Sequence, residues 1–118
     1  MTRHEALTAL LAKVEAGDRP AFMDGFAASA FPPESAGGHC TFHDVVKAYH
    51  GSLDAAKALH EAVLPDFDAA IYLSGHAWVY VPTLNAPPVK EYRVENDCPA
   101  RAWLIAILKA LIAMEEVQ

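Results

Sequence analysis

Apolar residues near the start of the chain recur every three or four positions: Ala6, Leu7, Leu10, Leu11 and Val14 form one stripe on a helix. Thr2 and Glu5 have capping-box spacing before that stripe, and Gly17 is a natural terminator after it. The pattern predicts a first helix over about 3–16. Asp18-Arg19-Pro20 can open a second, shorter helix with Phe22 and Phe26 on its buried side, because proline is tolerated in a first turn. From Phe31 to Gly38, paired prolines and paired glycines mark a loop that reaches to about residue 40. Positions 39–50 fit a short helix or a strand, and the pattern leaves both open. Ser52 has N-cap character, with Asp54 against the positive end of the helix dipole. Leu53, Ala56, Leu59 and Val63 supply the inner face of a third helix that ends before Pro65.

The period then changes to two. Ile71 and Leu73 alternate with Tyr72, and Ala77, Val79 and Val81 alternate with Trp78 and Tyr80. Ser74-Gly75 between the runs predicts a hairpin. After a proline-containing loop, Val89 to Val94 reads as a third strand, polar enough for a sheet edge. Asn96-Asp97-Cys98-Pro99 opens a last helix that runs to Glu115-Glu116. Trp103, Leu104, Ile105, Ile107, Leu108, Leu111, Ile112 and Met114 wrap most of its circumference. A helix apolar on nearly all sides must be covered on nearly all sides. Either it lies at the centre of the domain or its outer stripe meets a second copy, and homo-oligomerisation is the expectation. The elements add up to an α+β domain: two to three N-terminal helices, a small three-stranded, mainly antiparallel sheet and a long apolar C-terminal helix.

Length and composition narrow this further. The 118 residues suit a single domain over 1–118, and the 53% apolar content supplies one core without disulfides. Cys40 and Cys98 lie far apart and read as two reduced thiols. Nine Lys+Arg against fifteen Asp+Glu give a net charge of −6, which argues against non-specific nucleic-acid binding but leaves room for a small anionic ligand. No basic start followed by an apolar run marks a signal peptide. Ala102 to Met114 is interrupted by Lys109 and falls short of the about 20 apolar residues a bilayer requires. A soluble cytoplasmic protein without membrane contact is expected.

Two joints between elements carry a resemblance. The first is the stretch from Tyr49-His50-Gly51-Ser52 through Leu59, followed by Leu64-Pro65 and a strand. The second is Cys98-Pro99-Ala100-Arg101-Ala102-Trp103-Leu104, continuing to Leu111. With the N-terminal helix ending in Glu15-Ala16-Gly17-Asp18-Arg19, they resemble a family of small phage and prophage proteins named for an α/β/α sandwich, over roughly 3–20 and 49–116. The resemblance implies that sandwich fold and an infected bacterial cell as the setting. Its motifs are structural, and it implies no catalytic residue and no cofactor.

Candidate chemistry is sparse. His39, Cys40 and His43 place three potential metal ligands close together, but a zinc site wants a fourth group or an open three-ligand set, and the spacing demands none. Cys98 sits where a helix dipole favours thiolate, although a cysteine in a cap position is more often structural. Phosphate loops, nucleophile elbows and zinc-protease helices are absent from the sequence, so a non-enzyme is expected. The ligand-binding candidates are Trp78, Tyr80, Lys90, Tyr92, Arg93 and Arg101. If Ala77, Val79 and Val81 face the helices, Trp78 and Tyr80 face away. Tyr92 and Lys90 then share one face of the next strand, and Arg93 takes the other. Aromatic planes beside cations suit a nucleotide base and phosphate. The same aromatics would equally serve as a second core layer. Three functions follow: sequestration of a small nucleotide immune signal in counter-defence, a protein–protein module acting on the virion or a host protein, or a small metal-dependent hydrolase.

Overall fold

The computed structural model describes residues 3–16, 41–81 and 91–116. The second predicted helix with Phe22 and Phe26, the loop around 31–40, and Lys90 lie outside the described residues. Helix α1 spans Arg3–Ala16, α2 Thr41–Tyr49 and α3 Leu53–Val63. Strands β1 (Asp68–Tyr72), β2 (His76–Tyr80) and β3 (Glu91–Glu95) follow, and α4 (Pro99–Glu116) closes the order. The α+β class is as expected: helices, then a three-stranded antiparallel sheet, then a long C-terminal helix.

The stretch the pattern left open is a helix. Val45, Ala48 and Tyr49 are buried at helical spacing, and the adjacent β-branched pair Val45-Val46 had obscured that period. Helix α2 ends in a paired-bond cap. Gly51 N–H donates to the Ala48 carbonyl (3.0 Å) and Ser52 N–H to the Lys47 carbonyl (3.0 Å). Gly51 takes a φ of 103°, which is why glycine stands there. Ser52 then caps α3, its hydroxyl accepting from the Ala55 N–H at 3.1 Å. One three-residue joint, His50-Gly51-Ser52, thus stops a helix and starts the next. The buried side of α3 is Ala55, Ala56, Leu59 and His60, whereas Leu53, expected inside, is 38% exposed.

The sheet has order β1-β2-β3, with both pairings antiparallel. The hairpin differs from expectation by its turn. Leu73 is not in a strand: Leu73-Ser74-Gly75 forms the link, Gly75 N–H donates to the Tyr72 carbonyl (2.9 Å), and Leu73 is 85% exposed. Gly75 has a φ of 102°, and a Cβ there would sit 1.9 Å from the Asn96 carbonyl oxygen. Gly75 also accepts from the Asn96 N–H at 2.8 Å, pinning the hairpin tip to the segment that leads into α4. The third strand is described over Glu91–Glu95, Val89 lying outside the described residues, and it occupies an edge of the described sheet as its polarity predicts.

Helix α4 lies between the sheet and the other helices, in contact with α1, α2, α3 and all three strands. Ala102, Leu104 to Leu108, Ala110 and Leu111 are all buried within the single chain. The single chain thus covers most of the helix, while Trp103 and Ile112 stay half-buried and Met114 is 42% exposed. Among the described residues the helices cover only one face of the sheet, and no described helix is long and apolar enough to cross a membrane.

Candidate binding face of the sheet

Strand alternation and register sort the sheet into two faces. Ala69, Val79 and Tyr92 form one row across the strands, and Ile71, Ala77 and Val94 the next. All six join or pack against the core. The opposite face carries three rows: Asp68, Tyr80 and Glu91; Ala70, Trp78 and Arg93; Tyr72, His76 and Glu95. That second face is the candidate site.

Three of the six predicted ligand residues meet there. The Trp78 and Tyr80 rings stack with centroids 4.3 Å apart and planes 30° apart. The Arg93 guanidinium carbon lies 4.7 Å from the Trp78 ring centroid, within cation–π range. Arg93 Nε also approaches Glu91 Oε1 at 3.5 Å. That pair is exposed on the Arg side and adds little to stability, but it commits the guanidinium toward Glu91. Trp78 is half-buried, and its indole Nε1 is fully buried yet finds no acceptor among the described residues.

Two of the other three are placed elsewhere. Tyr92 turns to the helix side and packs on the core, so it is core, not platform. Arg101 is a structural tie: its Nε donates to the Tyr49 carbonyl at 2.6 Å and its guanidinium carbon lies 4.2 Å from the Tyr49 ring centroid. It joins the first turn of α4 to the end of α2. Lys90 lies outside the described residues.

A cleft of about 590 Å³ opens over the hairpin end of this face, lined chiefly by Tyr72, Ser74, His76, Trp78, Arg93 and Glu95. Sequence reasoning missed Tyr72, Ser74, His76 and Glu95. Their signal was parity: once the turn is known to hold three residues, positions 72, 76 and 95 fall into one row. His76 Nδ1 lies 3.2 Å from the Ser74 hydroxyl and its Nε2 3.5 Å from Glu95 Oε2. Tyr72 is 55% exposed.

The remaining reactive side chains have structural partners or no assembly. Cys98 caps α4, its N–H donating to Asn96 Oδ1 (3.0 Å) and its carbonyl accepting from Ala102 (2.9 Å). His60 is buried between two fixed partners. Trp103 Nε1–H donates to its Nδ1 at 3.2 Å, so Nε2 carries the proton and donates to the Phe67 carbonyl at 2.8 Å. Among the described residues no three His, Cys, Asp or Glu side chains converge as a metal set. His39 and Cys40 lie outside the described residues, as does the side chain of His43. Comparison with family models, curated proteins and solved structures returns no match to this chain.

Proposed function

We propose that this chain is a non-catalytic binding protein that works through the open face of its sheet, and that its partner is another protein. One observation carries the reading: Trp78, Tyr80 and Arg93 stand in mutual contact on a face that no described element covers. Trp, Tyr and Arg are the residues that dominate binding energy at protein interfaces, because they offer large rigid area with a polar handle. Exposed Tyr72 and Leu73 extend the apolar surface to the hairpin tip. The likeness of the two joints to phage sandwich domains supports an infected bacterial cell as the setting, with a host protein or virion component as the partner.

Sequestration of a small nucleotide has less support from this face. Among the described residues Asp68, Glu91 and Glu95 share it with a single guanidinium, and Glu91 already engages that group. A phosphate would compete with one carboxylate and face two more.

The test compares wild-type protein with a Trp78→Ala/Arg93→Ala double variant, both immobilised in extract from infected cells. The expected outcome is one stoichiometric protein retained by the wild type and lost by the variant. Calorimetry against cyclic oligonucleotides should be silent. Identical retention by both proteins would remove the open face as the site. Micromolar nucleotide binding that the double variant loses would make the protein a nucleotide sponge instead.

A further inference from the structure

We infer that the outer edge of β1 is a contact between two copies of this chain, which pair antiparallel around a two-fold axis at Ala70. Among the described residues the sheet has two outer strands, β1 and β3, and they differ in kind. An outer strand turns every second N–H and C=O away from the sheet, and proteins blunt such edges with charge, proline or a bulge. β3 is blunted: Glu91, Arg93 and Glu95 alternate along it. β1 carries none of these devices beyond one carboxylate. It reads Asp-Ala-Ala-Ile-Tyr, its register with β2 runs without a bulge, and its single charge stands at its first position.

Helix α4 lies mainly over β2 and β3 and touches β1 least. On the central strand Val79 is fully buried, while Ala69 and Ile71, on the same face of the sheet, are only half-buried. An apolar strand beyond β1 would bury more of both. β1 fits itself in that place. Around Ala70, Asp68 meets the partner subunit's Tyr72 and Ala69 meets the partner subunit's Ile71, so no like charges face one another. The same operation on β3, around Arg93, sets guanidinium against guanidinium and Glu91 against the partner subunit's Glu95. One edge is self-complementary and the other repels itself. A pair of five-residue strands buries less than the roughly 1,000 Å² of a stable interface, so the dimer is weak. It leaves the open face free, and therefore stands or falls separately from the protein partner proposed for that face.

The experiment is sedimentation equilibrium of the full chain over a concentration series. A reversible monomer–dimer equilibrium is expected, with a dissociation constant of roughly tens to hundreds of micromolar. Ala70→Lys sets two ammonium groups at the axis and should weaken the dimer severalfold, with the circular dichroism spectrum unchanged. Glu91→Gln/Glu95→Gln, on the far edge, should leave the equilibrium where it is. Ala70→Cys supplies a second readout. Residues opposite one another in an antiparallel pair lie within disulfide reach, so mild oxidation should trap this variant as a covalent dimer. Trapping should run severalfold faster than in the wild type, which carries two cysteines of its own.

A chain that stays monomeric at millimolar concentration overturns the β1 contact. A dimer that Ala70→Lys leaves intact and Ala70→Cys does not trap has its interface elsewhere, and overturns it too. A dimer strengthened by the double glutamine variant belongs to β3, because removing glutamates that face one another is what would strengthen it there. None of these results bears on capture of a partner by the open face, which the Trp78→Ala/Arg93→Ala variant judges.

Discussion

Val79 and Trp78 are neighbours on β2 and meet different surroundings. Val79 is fully buried against the central helix, whereas Trp78 stands half-buried among charged side chains on the other face. On the helix side every strand contributes an aliphatic or small residue, Tyr92 being the one ring, and all of them join or pack on the core that α4 centres. On the open side the same strands contribute rings, a guanidinium and carboxylates whose contacts are mostly with one another. The first face is explained by folding alone. The second is not, because nothing in the stability of a small domain calls for a ring stack with an orphan indole donor.

The largest effect expected from this contrast is at Val79. Val79→Asp places an unpaired carboxylate between the sheet and α4, at a cost on the order of 4 kcal/mol or more. That is much of the roughly 5–15 kcal/mol available to a domain. Soluble yield and the urea midpoint should both drop sharply. A stability near wild type would show that the helix-side face is wet, and the two faces would no longer differ in kind.

Gly75→Ala comes next. The added methyl meets the Asn96 carbonyl at 1.9 Å, and the positive φ disfavours any side chain. Since the obstacle is backbone, the hairpin tip or the entry to α4 must shift, at about 2 kcal/mol or more. Urea unfolding measures the loss. Faster hydrogen exchange at the Asn96 amide, which donates to Gly75, would locate it.

Trp103→Phe probes the helix side again. It removes the only indole donor to His60 Nδ1 and leaves a buried acceptor unpaired, costing about 1–3 kcal/mol. A double-mutant cycle with His60→Leu should show coupling between the two sites, on the order of 1 kcal/mol. Additive losses would mean that the 3.2 Å contact carries no energy.

How much of this could be read beforehand follows from the range of each interaction. Strand alternation is local, so the facing of Val79 and Trp78 was legible from period two alone. The α3 cap at Ser52 and the start of α4 at Pro99 were legible for the same reason. The length of the hairpin turn was not, because Gly75 is dictated by Asn96 from beyond the next two strands, and the row of Tyr72, His76 and Glu95 needed the register across all three strands. Parity could separate Tyr92 from Arg93, yet it could not say which of them joins Trp78 without the β2–β3 register. Arg101 and His60 were beyond reach of any spacing rule, since their partners Tyr49 and Trp103 lie on other helices. The apolar circumference of α4 was legible, and only the packing of three helices and three strands around it showed how much of it the chain itself covers.

The smallest expected change is also the sharpest test of the contrast, because it concerns a sign. Trp78→Phe makes the same substitution as Trp103→Phe, on the opposite face. At Trp103 the lost N–H had a partner, so stability falls. At Trp78 the lost N–H had none among the described residues, so removing it relieves a desolvation cost while surrendering some ring area stacked on Tyr80 and beneath Arg93. These terms oppose one another, and the net change should be no worse than about 0.5 kcal/mol, with a gain in stability the informative outcome. Partner retention should hold, since the phenyl ring keeps the stack and the buried N–H is out of a partner's reach. A loss as large as at Trp103 would mean that the donor is already satisfied in the free protein, and the two faces of the sheet would then differ only in polarity.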